Sequence, residues 1–167
     1  MLRWSRDAAV VLGVLAGVHA WQTRHVPSGK APAFSADAVL PAGHAQALSL
    51  AQWRAAHPGR AVALHFWATW CSICKLEQHN VTRLAADWPV LTIATQSGPA
   101  PVVHAVQAQR RLDWATVADP QGELLARYGL KAVPAFVVIA PDGRLASTSV
   151  GYTSELGMRL RLWWAQL

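Results

Sequence analysis

The tightest constraint on this chain is Cys71-Ser72-Ile73-Cys74, set directly behind the compact apolar run Ala61–Trp67 (AVALHFW). Such a run reads as a buried strand, and the segment beyond it as a helix reaching about Asp87. A strand that delivers a cysteine to the opening of a helix puts its sulfur beside unpaired N–H groups and the positive end of the helix dipole. Both favour a thiolate. The two intervening residues set Cys74 about one turn further on, inside the helix and nearer the core. The chain has only two cysteines. A disulfide framework needs more bridges closing longer loops, and a structural zinc site needs four ligands where a second CxxC is missing. The pair is therefore read as chemistry, with Cys71 attacking and Cys74 resolving. Trp67 and Trp70 are expected to wall the site on one side.

The remaining pattern alternates. An extended piece near Phe34–Leu40 precedes a helical turn at Leu50–Ala56, then comes the strand and helix around the cysteines. Val90–Thr95 (VLTIAT) is a second buried strand. Val102–Arg111 has helical spacing, and a short strand follows near Thr116–Ala118. Asp119-Pro120 has the form of an N-cap followed by proline at the first helical position, and Gly129 closes that helix after Tyr128. Ala135–Ala140 and Arg144–Val150 form a hairpin through Pro141-Asp142-Gly143, and Thr153–Gln166 is a closing amphipathic helix. Alternating strands and helices followed by a hairpin and a helix predict an α/β domain of three layers with a central mixed sheet. Trp163-Trp164 is expected to pack on the core rather than touch a membrane surface.

The N-terminus is of another kind. Arg3 and Arg6 precede Ala8–Ala20 (AAVVLGVLAGVHA), which has the form of an export signal or a membrane anchor. The run is short for a bilayer span, and Trp4 and Trp21 extend it as interfacial anchors. Val18-His19-Ala20 resembles a peptidase site, so a cleaved signal stands beside the slightly preferred uncleaved anchor. Either way the basic start holds the N-terminus inside. Residues 1–21 are thus read as a signal-anchor or signal peptide, residues 22–33 as a flexible linker with two prolines, a glycine and a serine, and residues 34–167 as the domain.

Phe66-Trp67-Ala68-Thr69-Trp70-Cys71-Ser72-Ile73-Cys74 resembles the active-site segment of the thioredoxin superfamily. Its continuation through Lys75-Leu76-Glu77 is similar to the CxxCxxE pattern of the membrane-anchored periplasmic TlpA/ResA-like branch. Val133-Pro134, after Tyr128-Gly129-Leu130 and before a buried strand, resembles that family's cis-proline turn. The matches span about Phe34 to the C-terminus. The resemblance implies a thioredoxin-like fold and a protein-disulfide oxidoreductase. It also implies a cis Pro134 opposite the cysteines, with the Val133 backbone pairing with an extended substrate segment and Trp70 beside it. His65 stands where many relatives carry a buried Asp that moves the proton of the second thiol. It is read as a proton shuttle or as an inert core residue. Glu77, one turn beyond Cys74, is read as tuning that thiol or as a solvated helix residue. Gln78-His79 follows where relatives often have proline, which puts their helix kink in doubt.

The chain carries a net charge of +6, yet Arg110-Arg111 is its only adjacent basic pair, which argues against nucleic-acid binding. A metal carrier is the alternative function, with His65, His79 or His104 joining the cysteines around copper or zinc. Seven scattered histidines and no Met cluster give it little support. The enzyme reading requires no cofactor and no metal. It puts the domain on the periplasmic side of the inner membrane, anchored through residues 1–21, or free in the periplasm after cleavage. Its partners are disulfide-containing exported proteins and a membrane thiol–disulfide electron donor or acceptor. Ser72-Ile73 supplies no imidazole between the cysteines, which leans the pair towards reduction.

Overall fold

The computed structural model describes residues 23–41 and 45–167, together with positions 8, 10, 11, 13, 14, 17, 18 and 21. The described residues cover the hydrophobic helix expected over Ala8–Ala20 only in part, at positions 8, 10, 11, 13, 14, 17 and 18. Among the described residues no helix is long and apolar enough to cross a membrane.

Seven strands form one mixed sheet: β1 (Ser35–Val39), β2 (Ala45–Ser49), β3 (Val62–Trp67), β4 (Val90–Thr95), β5 (Thr116–Asp119), β6 (Ala135–Ile139) and β7 (Leu145–Val150). Their spatial order is β2-β1-β5-β4-β3-β6-β7. β3–β4 and β4–β5 pair parallel, while β3–β6, β6–β7, β1–β5 and β1–β2 pair antiparallel. From residue 45 onwards, the described residues also include the helices α1 (Leu50–Ala55), α2 (Ser72–Asp87), α3 (Ala100–Arg110), α4 (Glu123–Arg127) and α5 (Glu155–Gln166).

The central strands β3, β4 and β6 are buried along their whole length because both faces are covered, and they are mostly apolar. Side chains alternate across the sheet. Leu64, Phe66, Leu91, Ile93, Val137 and Ile139 form one core with Leu50, Leu124 and Tyr128. Ala63, Trp67, Ala94, Phe136 and Val138 form the other with Val81 and Leu84 of α2, Val103 of α3, and Met158 and Leu162 of α5. The expected three-layer α/β architecture is present.

One strand is new and two local expectations are corrected. β2 is a strand that the sequence did not announce, since AQALS has little β-branched or aromatic content. It forms by pairing in full with β1, Ser35 opposite Ser49. Asp119 is not the N-cap of α4. The strand runs through Asp119, and Gly122, at φ +76°, holds the cap position. The Asp119 carboxylate nevertheless accepts from the backbone N–H groups of Leu124 and Leu125, at 3.1 and 3.2 Å, and so serves the orphan donors of α4 from the strand end. Finally, α5 turns Met158 and Leu162 inward, which leaves Trp163 and Trp164 outside at 55% and 76% exposure. The double tryptophan does not pack in the core, because it lies on the helix face opposite those two residues.

Gly129 ends α4 as expected. Leu130 N–H donates to Leu125 O and Gly129 N–H to Ala126 O, the paired bonds of a Schellman end, with Gly129 at φ +68°. The backbone carbonyl of His25 also passes so close that a Cβ at residue 129 would lie 1.9 Å from it. Residues 25–33 lie against the domain. Tyr128 Oη donates to Pro32 O at 2.8 Å, Arg127 to Ala33 O at 2.9 Å, and Lys30 bridges Arg144 at the free edge of β7.

Candidate active site

β3 is flanked by β4 and β6, so its C-terminal end is held on both sides. From there Ala68–Trp70 turn into α2. Cys71 N–H donates to Ala68 O, and Thr69 N–H donates to Ser97 Oγ. Arg110 donates to Thr69 O at 2.8 Å, and Trp70 Nε1 donates to Gln96 O at 2.9 Å. Cys71 thereby becomes the N-cap of α2, with extended backbone angles, and its sulfur accepts from Cys74 N–H at 3.1 Å. A thiolate at this position gains a hydrogen bond and the positive end of a sixteen-residue helix.

Cys71 and Cys74 are joined as a disulfide, with Cα atoms 5.2 Å apart. Cys71 is 7% exposed and Cys74 only 1%, so the outer sulfur is the first one that another molecule meets. The Val133–Pro134 bond is cis, as the resemblance implied, and Val133 O lies 3.9 Å from Cys71 Sγ. Pro134 is itself buried, and its carbonyl accepts from Gly151 N–H. The extended chain before β6 is thus fixed opposite the cysteines.

Beneath the pair, His65 and Glu77 face each other. His65 Nε2 and Glu77 Oε2 are 3.1 Å apart, and both side chains are buried. Glu77 is therefore not a solvated helix residue. Its second oxygen accepts the backbone N–H of Thr153, in the turn between β7 and α5. His65 Nδ1 is buried without a hydrogen-bond partner, and the Trp114 ring stands edge-on to the imidazole at 6.2 Å. α2 runs through Gln78-His79 as one helix.

The two tryptophans expected as a wall divide. Trp70 is 63% exposed beside Cys71. Trp67 is fully buried behind the site, packed edge-on against Trp114 at 5.6 Å, because it falls on the same strand face as His65. His79 and His104 are exposed on α2 and α3. Among the described residues no group of three or more His, Cys, Asp or Glu is placed to hold a metal ion. Sequence reasoning did not single out Thr153, Trp114, Ser97 and Arg110. Thr153 acts through its backbone N–H, Trp114 through its ring, and Ser97 and Arg110 through side-chain bonds to the Thr69 backbone, none of which a short motif records.

The Redoxin family profile matches residues 27–158. A thioredoxin-like protein of Haemophilus influenzae is 30% identical over 104 residues, covering 62% of this chain and 62% of that one. The thiol-disulfide oxidoreductase ResA of Bacillus subtilis is 27% identical over 101 residues, covering 58% of this chain and 56% of its own length. The chain thus spans 62% and 56% of the length of these two relatives, less than two thirds of each. Among solved structures, a putative thiol:disulfide interchange protein DsbE from Chlorobium tepidum superposes with a TM-score of 0.69 at 21% identity, over 85% of this chain and 99% of that one. That likeness shows the thioredoxin-like fold.

Proposed function

The chain belongs to the Redoxin family, and from that premise we propose that it is a protein-disulfide oxidoreductase in which Cys71 attacks and Cys74 resolves. The observation that carries the reading is the N-capping sulfur of Cys71, bonded by Cys74 N–H and set 3.9 Å from the carbonyl before a cis proline. In the reduced enzyme the Cys71 thiolate attacks one sulfur of a substrate disulfide. The other substrate sulfur leaves as a thiolate, and a mixed disulfide joins Cys71 to the substrate. Cys74 then gives up its proton and attacks Cys71 Sγ. The second substrate sulfur leaves, and the Cys71–Cys74 disulfide remains, two electrons having passed to the substrate.

The proton of Cys74 needs an acceptor in a dry site. Glu77 lies one helical turn beyond Cys74 and carries His65 at 3.1 Å, so the pair takes the proton inside the protein and passes it on. Val133 offers its backbone to an extended substrate segment, with Pro134 holding the turn and Trp70 flanking it. Arg3 and Arg6 before the apolar run put the domain on the periplasmic side of the inner membrane, held by residues 1–21, where it acts on exported proteins. The Ser72-Ile73 dipeptide supports the reducing direction, with electrons supplied by a membrane thiol–disulfide donor.

Titration of the Cys71–Cys74 pair against glutathione and dithiothreitol buffers tests the direction. A potential at or below about −220 mV sustains the reductase, and one near −120 to −180 mV replaces it with an oxidase or isomerase. Cys74→Ser should accumulate a mixed disulfide through Cys71 with a disulfide-containing protein, which Cys71→Ser should not form. Equal trapping by both variants overturns the assignment of roles.

A further inference from the structure

α5 is apolar on two opposite faces. Met158 and Leu162 point into the core, while Leu156, Leu160, Trp163, Trp164 and Leu167 recur at helical spacing on the outer face, each at least 53% exposed. A surface helix normally turns its polar side outward. Here the outward stripe is leucine and tryptophan, and the charges stand to its sides. Arg161 reaches Ser147 on β7, and Arg159 is held by Glu155 and Asp87 on α2.

Beside the stripe, Leu160, Trp164 and Leu167 join Arg144, Ala146 and Ser147 of the β7 region around an open groove of about 750 Å³. Arg144 and Arg161 both border it. Asp142 takes up part of the Arg144 charge at 3.5 Å. The incoming chain arrives at the same edge, since Thr23, Val26 and Pro27 line a recess with Leu145, Ala146 and Ser147. Ahead of that point, Val10, Val11, Val14, Val18 and Trp21 are all exposed, at 48–66%, and the Arg24 guanidinium lies 5.0 Å over the Trp21 ring.

We propose that the outer face of α5 lies on the surface of an anionic bilayer, the one that residues 1–21 enter. The inference rests on the proposed membrane reading of those residues. Leucine and tryptophan on one face with arginine at its border is the chemistry of a helix lying in a lipid headgroup layer. The net charge of +6 favours anionic lipid. The adjoining entry of the chain brings this face, rather than the far side of the sheet, towards the membrane. The orientation follows from the pairing of α5 with α2. Asn80 meets Tyr152, Arg83 meets Glu155 and Asp87 meets Arg159, so the two helices run side by side away from the cysteines. The double tryptophan therefore sits at the end remote from Cys71, and a docked α5 leaves the cysteine end clear for soluble substrates.

The test is hydroxyl-radical footprinting of the full oxidised chain, in buffer and on vesicles of phosphatidylethanolamine and phosphatidylglycerol, read residue by residue by mass spectrometry. Trp163 and Trp164 should oxidise severalfold more slowly on the vesicles, alongside protection of Trp21. Leu160→Ser/Trp164→Ser alters two exposed side chains. It should still float with the vesicles through its N-terminus while Trp163 regains its reactivity in buffer. Persistent protection of Trp163 in that variant overturns the proposal. Protection of Trp21 with unchanged Trp163 and Trp164 overturns the docking and leaves the membrane reading of residues 1–21 standing. Failure to float overturns both. Protection of the double tryptophan already in buffer also overturns it. Protection at every dilution would identify the chain's own apolar segment as the occupant, and protection that fades on dilution a second copy.

Discussion

Glu77 serves two buried partners at once, His65 through one oxygen and the Thr153 backbone N–H through the other. Removing the carboxylate leaves a buried donor and an imidazole unanswered, each costing about 1–3 kcal/mol. Glu77→Ala should therefore lose about 2–4 kcal/mol in urea unfolding of the oxidised chain, while Glu77→Gln, which retains an acceptor for Thr153, should lose about 1 kcal/mol. The kinetic consequence separates structure from chemistry. If Glu77 takes the Cys74 proton, Glu77→Gln should lengthen the life of the mixed disulfide at neutral pH far more than it lowers stability, and raising the pH should recover the rate. A stability loss with an unchanged resolving rate would reduce Glu77 to a structural contact. This residue also marks the limit of sequence reasoning. A Glu three positions past a cysteine looks the same on a wet or a dry helix face. What decides its burial is Thr153, 76 positions away.

At the level of elements, periodicity located the strands that are buried on both sides. β3, β4 and β6 are buried throughout and mostly apolar, in runs too short and too densely apolar for a surface helix. The closing hairpin and α5 were equally legible through Pro141-Asp142-Gly143 and the amphipathic spacing. The outward tryptophans were not, because an apolar residue counts towards the core in any such pattern. β2 also escaped, because its conformation comes from its partner and not from its residues. Asp119 shows a subtler failure. Its chemistry was right for capping, but the strand claimed its backbone, so it caps across the turn. Thr95 also donates to this carboxylate at 2.9 Å. Asp119→Ala should cost about 2 kcal/mol, the upper end for a lost cap, and should fray α4 before the sheet. Hydrogen exchange of Leu124 and Leu125 should report that order, and loss of protection across the whole sheet at once would contradict it. Gly129→Ala tests the other end of α4. The left-handed backbone alone costs about 1–2 kcal/mol. The His25 carbonyl must also move, so proteolysis should become faster within residues 23–33 while β3 and β6 remain protected.

For the whole molecule, the two faces of the sheet are tied down by groups that titrate at opposite ends of the pH scale. On one face Tyr128 is fully buried, packs its ring on Phe66 and donates to Pro32 O. Burial pushes its phenol up, well past the ordinary range, against the opposing charge of Arg127. The folded state thus holds this proton more tightly than the unfolded state. Its contribution is complete below the unfolded value of about 10 and is lost as pH rises above it. On the other face Glu155 joins α5 to α2. Hydrogen bonds from Arg159 and then Arg83 hold its carboxyl below the usual range. That contribution is complete above about pH 4.3 and is lost as pH falls towards the lowered folded value. Tyr128→Phe should therefore flatten the alkaline arm of the stability curve, at a cost of about 1 kcal/mol near neutrality for the lost Pro32 bond. Glu155→Gln should flatten the acid arm. The two residues share no partner, Tyr128 lying in a core and Glu155 on the surface between α5 and α2, so the double variant should show both changes added. The measurement is the urea midpoint of the oxidised chain between about pH 3 and pH 11, a span that brackets both unfolded values. Non-additive midpoints would mean that the sheet transmits strain between its faces, which its close-packed β3 and β6 have no slack to absorb.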